Sequence, residues 1–153
     1  MEYPIQILII DAQGGGVGRQ LVSAVRQALP DAAVTAVGTN SAATSAMLKA
    51  GPHRAATGEN AVVVACRTAD IIVGPLGIVI ADAMLGEVTP AMAAAVGQSR
   101  AKRVLIPFSH CDNIVAGVPE LATGALIQCA VRSVTALAGE LADGPLETSE
   151  GRA

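Results

Sequence analysis

Residues 5–10 are apolar except for Gln6 and are rich in β-branched types, which predicts a short parallel strand covered on both faces. After residues 14–18 the period changes. Val17, Leu21, Val25, Ala28 and Leu29 fall on one stripe, opposed by Arg19, Gln20, Ser23, Arg26 and Gln27, so a helix follows until Pro30 and Asp31 stop it. Residues 33–38 predict a second strand, and Asn40 or Ser41 can cap a helix that runs to Ala50 and halts at Gly51-Pro52. A third strand over 54–57 precedes a helix over 59–67, and residues 70–74 form the fourth strand.

Residues 76–85 read as a buried helix, and Thr89 followed by Pro90 opens another, because Thr caps and Pro suits the first turn. Residues 103–107 make a fifth strand, and 108–118 a loop or short sixth strand. A long helix covers about 119–141, with Ile127, Val134, Leu137 and Leu141 near one face. Strands alternating with helices predict an α/β fold with right-handed crossovers. The expected architecture is a single doubly wound, mainly parallel five-stranded sheet in the order 3-2-1-4-5, Rossmann-like, with helices on both faces. Residues 1–142 would form this domain and 143–153 a flexible C-terminal tail.

A chain of 153 residues can build one real core. Hydrophobic residues are 52% and aromatic residues 1%, so that core must consist of Ala, Val, Ile, Leu and Met. The net charge of −3 supplies no basic field for a phosphate backbone, which disfavours nucleic acid as a partner. Glu2 stands where a signal peptide would be basic, and residues 5–10 are too short for its apolar core, so a cytoplasmic protein is expected. Gly74, Pro75, Gly77 and Asp82 interrupt the most apolar stretch, 71–85, short of a membrane span of about 20 residues. Cys66, Cys111 and Cys129 are an odd number without paired close spacing, which argues against a disulfide framework or a zinc ribbon and predicts reduced thiols and no metal site.

In doubly wound sheets ligands bind beyond the carboxyl ends of the strands, where strand order reverses, here between the first and fourth. Gly14-Gly15-Gly16-Val17-Gly18 follows a strand and opens a helix, so free amides and the positive helix end could meet an anion there. The competing reading is a tight turn that only packs the helix on the sheet. The pattern departs from GxGxxG, since Arg19 stands at the third glycine, and the second strand ends in Gly38-Thr39-Asn40-Ser41 with no acid for ribose hydroxyls. NAD is thereby disfavoured, and NADP, FMN, a mononucleotide or a phosphorylated metabolite fits better. Active ATP hydrolysis is disfavoured too, because Arg19 and Gln20 replace the lysine and hydroxyl of a Walker loop.

The candidate ligand-binding residues are Asp11, Gly14, Gly15, Gly16, Val17, Gly18, Arg19, Thr39, Asn40, Ser41, Gly74 and Pro75. Asp11 could accept from a ligand or brace its own loop amides, and Arg19 could clamp a phosphate or lie in solvent. Gly74-Pro75 could let backbone approach a ligand or form a turn. Cys111, Asp11 and Glu59 are the catalytic candidates. His110, Cys111 and Asp112 put an imidazole, a thiol and a carboxylate in one loop, although adjacent side chains rarely converge on one atom. Glu59 serves equally as a dipole partner in a first helical turn. Cys66 and Cys129 are expected to fill core space, and His53 and Arg54 to lie at the surface.

Segments 11–18, 38–47, 57–63 and 86–92 together resemble a family of short Rossmann-like bacterial proteins, found mainly in anaerobes and known as a domain of unknown function. That resemblance implies the fold and no activity. Three functions therefore stay open: a small phospholigand-binding protein, an NADP- or flavin-dependent or thiol-based enzyme, and a homo-oligomeric module that assembles through 76–85 and 91–96.

Overall fold

The computed structural model describes residues 4–108 and 112–144. Five strands form one parallel sheet: β1 (Gln6–Asp11), β2 (Ala33–Gly38), β3 (Arg54–Thr57), β4 (Ile71–Pro75) and β5 (Lys102–Ile106), ordered β3-β2-β1-β4-β5. The expected order holds, with the reversal between β1 and β4. Helices α1 (Gly16–Ala28), α2 (Ser41–Leu48), α3 (Glu59–Cys66), α4 (Pro90–Gln98) and α5 (Thr123–Ala142) make up the rest.

Alternation along the strands divides the core in two. Ile7, Ile9, Val34 and Val73 face Leu21, Val22 and Val25 of α1 together with Ile127 and Val134 of α5. On the opposite face Leu8, Ile10, Val37 and Ile72 meet Val62 of α3 and Met92 and Val96 of α4. Burial at about 25 cal/mol per Å² of apolar surface makes these two layers the main support of the fold. Helix starts follow capping chemistry. Asn40 accepts from the Ala43 amide at 2.9 Å, and Thr89 accepts from Met92 at 3.2 Å with Pro90 in the first turn.

Three expectations need correction. Residues 76–85 do not form a helix: a 3-10 turn, Leu76–Val79, gives way to successive turns in which Asp82, Met84 and Leu85 take left-handed backbone angles. This strap is held by Ile78 and Val88, both buried in the second core layer, while Leu85 is 99% exposed. Helix α5 starts at Thr123, after a Gly117 in the left-handed region and an extended Ala122, and no strand occurs within 112–122. Its buried positions are Leu126, Ile127, Ala130, Val134 and Ala138, whereas Leu141 is exposed. By length and composition α5 could cross a membrane, but that buried stripe packs on α1 and the sheet. Finally, Cys129 lies exposed on α5, whereas Cys66 fills the core as expected, and burial pushes its thiol up to about 11.

Only the first two residues of the expected tail, 143–144, are described, following α5; 145–153 lie outside the described residues.

Candidate functional site

The turn between β1 and α1 is fixed from below. Asp11 is buried at 5% exposure, and its carboxylate accepts from the Ala12 amide at 2.8 Å and the Gly18 amide at 2.6 Å. Both oxygens are thus used by the turn itself, so Asp11 braces the loop. Burial pushes the Asp11 carboxyl above its ordinary value; the Gly18 and Ala12 amides pull it back, and negative Glu87 adds a further upward push.

The glycines divide sharply. A Cβ on Gly15 would lie 2.6 Å from the Ala43 carbonyl oxygen, and its φ is +71°. On Gly18 it would lie 2.5 Å from Met47 Sδ and 2.7 Å from Asp11 Cβ. These two let α1 sit tightly against β1 and α2. Gly14 and Gly16, by contrast, have open space where a Cβ would go and no left-handed backbone. Packing gives no reason for glycine at either position.

The amides tell the same story. Gly15 donates to the Ala12 carbonyl at 3.1 Å, Gly18 to Asp11, and Gln13 to Glu87 Oε1 at 2.9 Å. Those of Gly14, Gly16 and Val17 donate to no acceptor among the described residues, and Gly14 and Gly16 are exposed. Three N–H groups at the positive end of α1 are therefore open to an anion from outside. Arg19 is exposed in the first turn of the same helix.

Glu87 was not among the candidates, and the fold carries it to this corner. Its Oε1 accepts from Gln13 N, from Thr39 Oγ1 at 2.9 Å and from Asn40 Nδ2 at 2.6 Å. Asn40 also donates to the Gln13 carbonyl at 3.1 Å, tying the end of β2 to the glycine turn. Desolvation raises the Glu87 carboxyl, but the Gln13 amide, Asn40 and Thr39 outweigh it, and the group is held below its ordinary value. Nothing in the local sequence around Glu87 announces this, since its partners lie 47, 48 and 74 positions away.

The remaining candidates separate. Thr39 and Asn40 are at the corner, and Ser41 is exposed at the first position of α2. Gly74 and Pro75 are buried, and a Cβ on Gly74 would lie 2.5 Å from the Ile10 carbonyl oxygen, so this glycine serves the approach of β4 to β1 and offers no surface to a ligand. Glu59 opens α3 beyond edge strand β3, two strands from β1, roughly 10 Å across the sheet. Cys111 and His110 lie outside the described residues. Among the described residues no group of His, Cys, Asp and Glu has the arrangement to hold a metal ion.

A separate groove of about 480 Å³ opens between β1–β3 and α3, bordered by Leu8, Val37, Ala56 and Val64, with Thr35 and Arg54 among its polar residues. None of the candidate residues lines it.

The family model described as "Domain of unknown function (DUF3842)" matches residues 6–139. No curated protein matches the chain. Among solved structures, a dodecameric FMN-dependent Ubix-like decarboxylase from Escherichia coli O157:H7 is similar over 86% of this chain and 76% of its own, with 17% identity and a TM-score of 0.43.

Proposed function

The chain belongs to the DUF3842 family, and from that premise we propose that it binds a nucleotide or phosphorylated metabolite at the turn after β1. The observation that carries this reading is the set of open amides at Gly14, Gly16 and Val17, two of them on glycines that packing does not require. Gly15, Gly18 and Asp11 give the turn its shape, and Arg19 is the cation closest in sequence to the phosphate seat. The protein's own carboxylates take the Gly18 and Gln13 amides, so the seat is confined to the three N–H groups between them. A cytoplasmic setting belongs to the same reading.

The test is thermal stability in the presence of NADP, FMN, AMP and sugar phosphates. A ligand at 100 times its Kd adds about 2.7 kcal/mol of stability. Gly16→Asp should leave the fold intact, because open space surrounds that position, yet it places a negative side chain before the amides and removes the shift. A flat panel with wild-type protein defeats the proposal.

A second reading, self-association through the strap, is favoured by Leu85, a large apolar side chain 99% exposed. The segment 91–96 contributes less to it than the sequence suggests, since Met92, Ala93 and Val96 are core residues. Light scattering on wild-type protein and Leu85→Ser decides it.

A further inference from the structure

Rossmann dinucleotide sites use an acid at the end of the second strand to accept from a ribose hydroxyl. Here β2 ends in Gly38 and is followed by Thr39-Asn40-Ser41, with no acid. The tertiary structure supplies one from the strap after β4. Glu87 reaches the end of β2 from 48 positions away and is fastened to both Thr39 and Asn40.

The way it is fastened carries the inference. All three donors, Gln13 N, Thr39 Oγ1 and Asn40 Nδ2, converge on Oε1. Oε2 accepts from no donor among the described residues, and the side chain is only half-buried. A carboxylate immobilised through one oxygen presents the other with its orientation already set, so a ligand hydroxyl meets it with little ordering cost. Its neighbours keep it charged at neutral pH. A negative oxygen attracts a hydroxyl hydrogen and repels a phosphate set directly against it, as a 2′-phosphate would be.

We propose that Glu87 Oε2 is the ribose-hydroxyl acceptor of this site, so that its ligand is a ribonucleotide with a free 2′-hydroxyl and Glu87 sets specificity against deoxyribose and 2′-phosphate. This rests on the reading of the turn at Gly14–Val17 as the phosphate seat. It reverses the expectation from the neutral end of β2, which favoured a 2′-phosphate.

The experiment measures Kd by calorimetry for AMP and GMP against their 2′-deoxy counterparts, and for NAD against NADP, on wild type and Glu87→Gln. Gln keeps an oxygen for the three donors but puts an NH2 group where Oε2 stood; urea melts report that it is folded. Wild type should favour each ribonucleotide over its deoxy form by about tenfold, the worth of one hydrogen bond to a charged group. It should also favour NAD over NADP. In Glu87→Gln the ribose preference should fall toward one and NADP should gain on NAD. Equal binding of ribo and deoxy forms to wild type overturns the role of Glu87 while leaving the phosphate seat standing. If Glu87→Gln instead tightens every ligand, inorganic phosphate included, Glu87 is an internal plug and the proposal falls. Binding of no ligand by wild type overturns both readings together.

Discussion

The connections that leave β1 and β4, the two strands astride the reversal, are built in opposite ways. After β1 the chain enters α1 through a short turn in which Gly15 and Gly18 answer steric needs and Asp11 braces the amides from inside. After β4 an apolar stretch that reads as helix becomes a 3-10 turn and a strap, with three non-glycine residues in the left-handed region. Such residues cost roughly 1–2 kcal/mol each, so the strap persists only because other contacts hold it. Those contacts include Ile78 and Val88 in the core and Glu87 at the β1 turn. The first connection is a short turn braced from within by Asp11, whereas the second is longer and is held at Val88 and Glu87.

The largest expected break in this comparison is at Gly15. Gly15→Ala sets a left-handed backbone and a backbone clash with Ala43 against the fold, for a loss of about 2–4 kcal/mol in urea denaturation. Gly14→Ala and Gly16→Ala should stay within about 0.5 kcal/mol of wild type. Similar losses at all of these glycines would erase the division between packing and open positions.

Next comes Asp11→Ala, which leaves the buried Gly18 amide without its acceptor and should cost about 1–3 kcal/mol. An unchanged midpoint would mean that Asp11 does not brace the turn.

The tie between the two connections is best seen through pH. Glu87 is held below its ordinary value of 4.5, so its folded form favours the ionised state. Its contribution is complete above that ordinary value and is lost as pH falls through the lowered one. Asp11 runs the other way: raised above 3.8, it adds stability that is full below that value and lost as pH rises through the raised one. The stability of wild type minus that of Glu87→Gln should therefore shrink as pH falls below about 4.5, through the lowered Glu87 value. A difference that does not fall in that acidic range contradicts the Glu87 tie.

The smallest effect lies at the tip of the strap. Leu85→Gly removes a left-handed leucine that touches little, and stability should rise by up to about 1 kcal/mol. A clear loss would show that Leu85 packs against something, a second copy of the chain being the direct candidate.

Much of the frame was legible because it depends on short-range chemistry. The apolar run before Asp11, the amphipathic stripe of α1, the Asn40 cap and the Thr89-Pro90 start each act within a turn or two, and strand–helix alternation with right-handed crossovers narrows the strand orders to a few, the observed one among them. The role of Gly14–Gly18 as a strand-to-helix turn was equally plain. Which glycines were steric was not, because Gly15 and Gly18 are constrained by Ala43 and Met47 on a different helix. Gly74 likewise looked like a ligand approach until the Ile10 carbonyl appeared beside it.

By itself, then, the sequence determined the α/β class, the five strands and the strand-to-helix turn at 14–18, since periodicity, caps and breakers operate over a few residues. Only the tertiary structure decided that residues 80–89 form a strap and that Glu87 stands at the end of β2. A hydrogen bond between residues 48 positions apart has no periodicity to betray it; it exists because the parallel crossovers bring separate loops to one edge of the sheet.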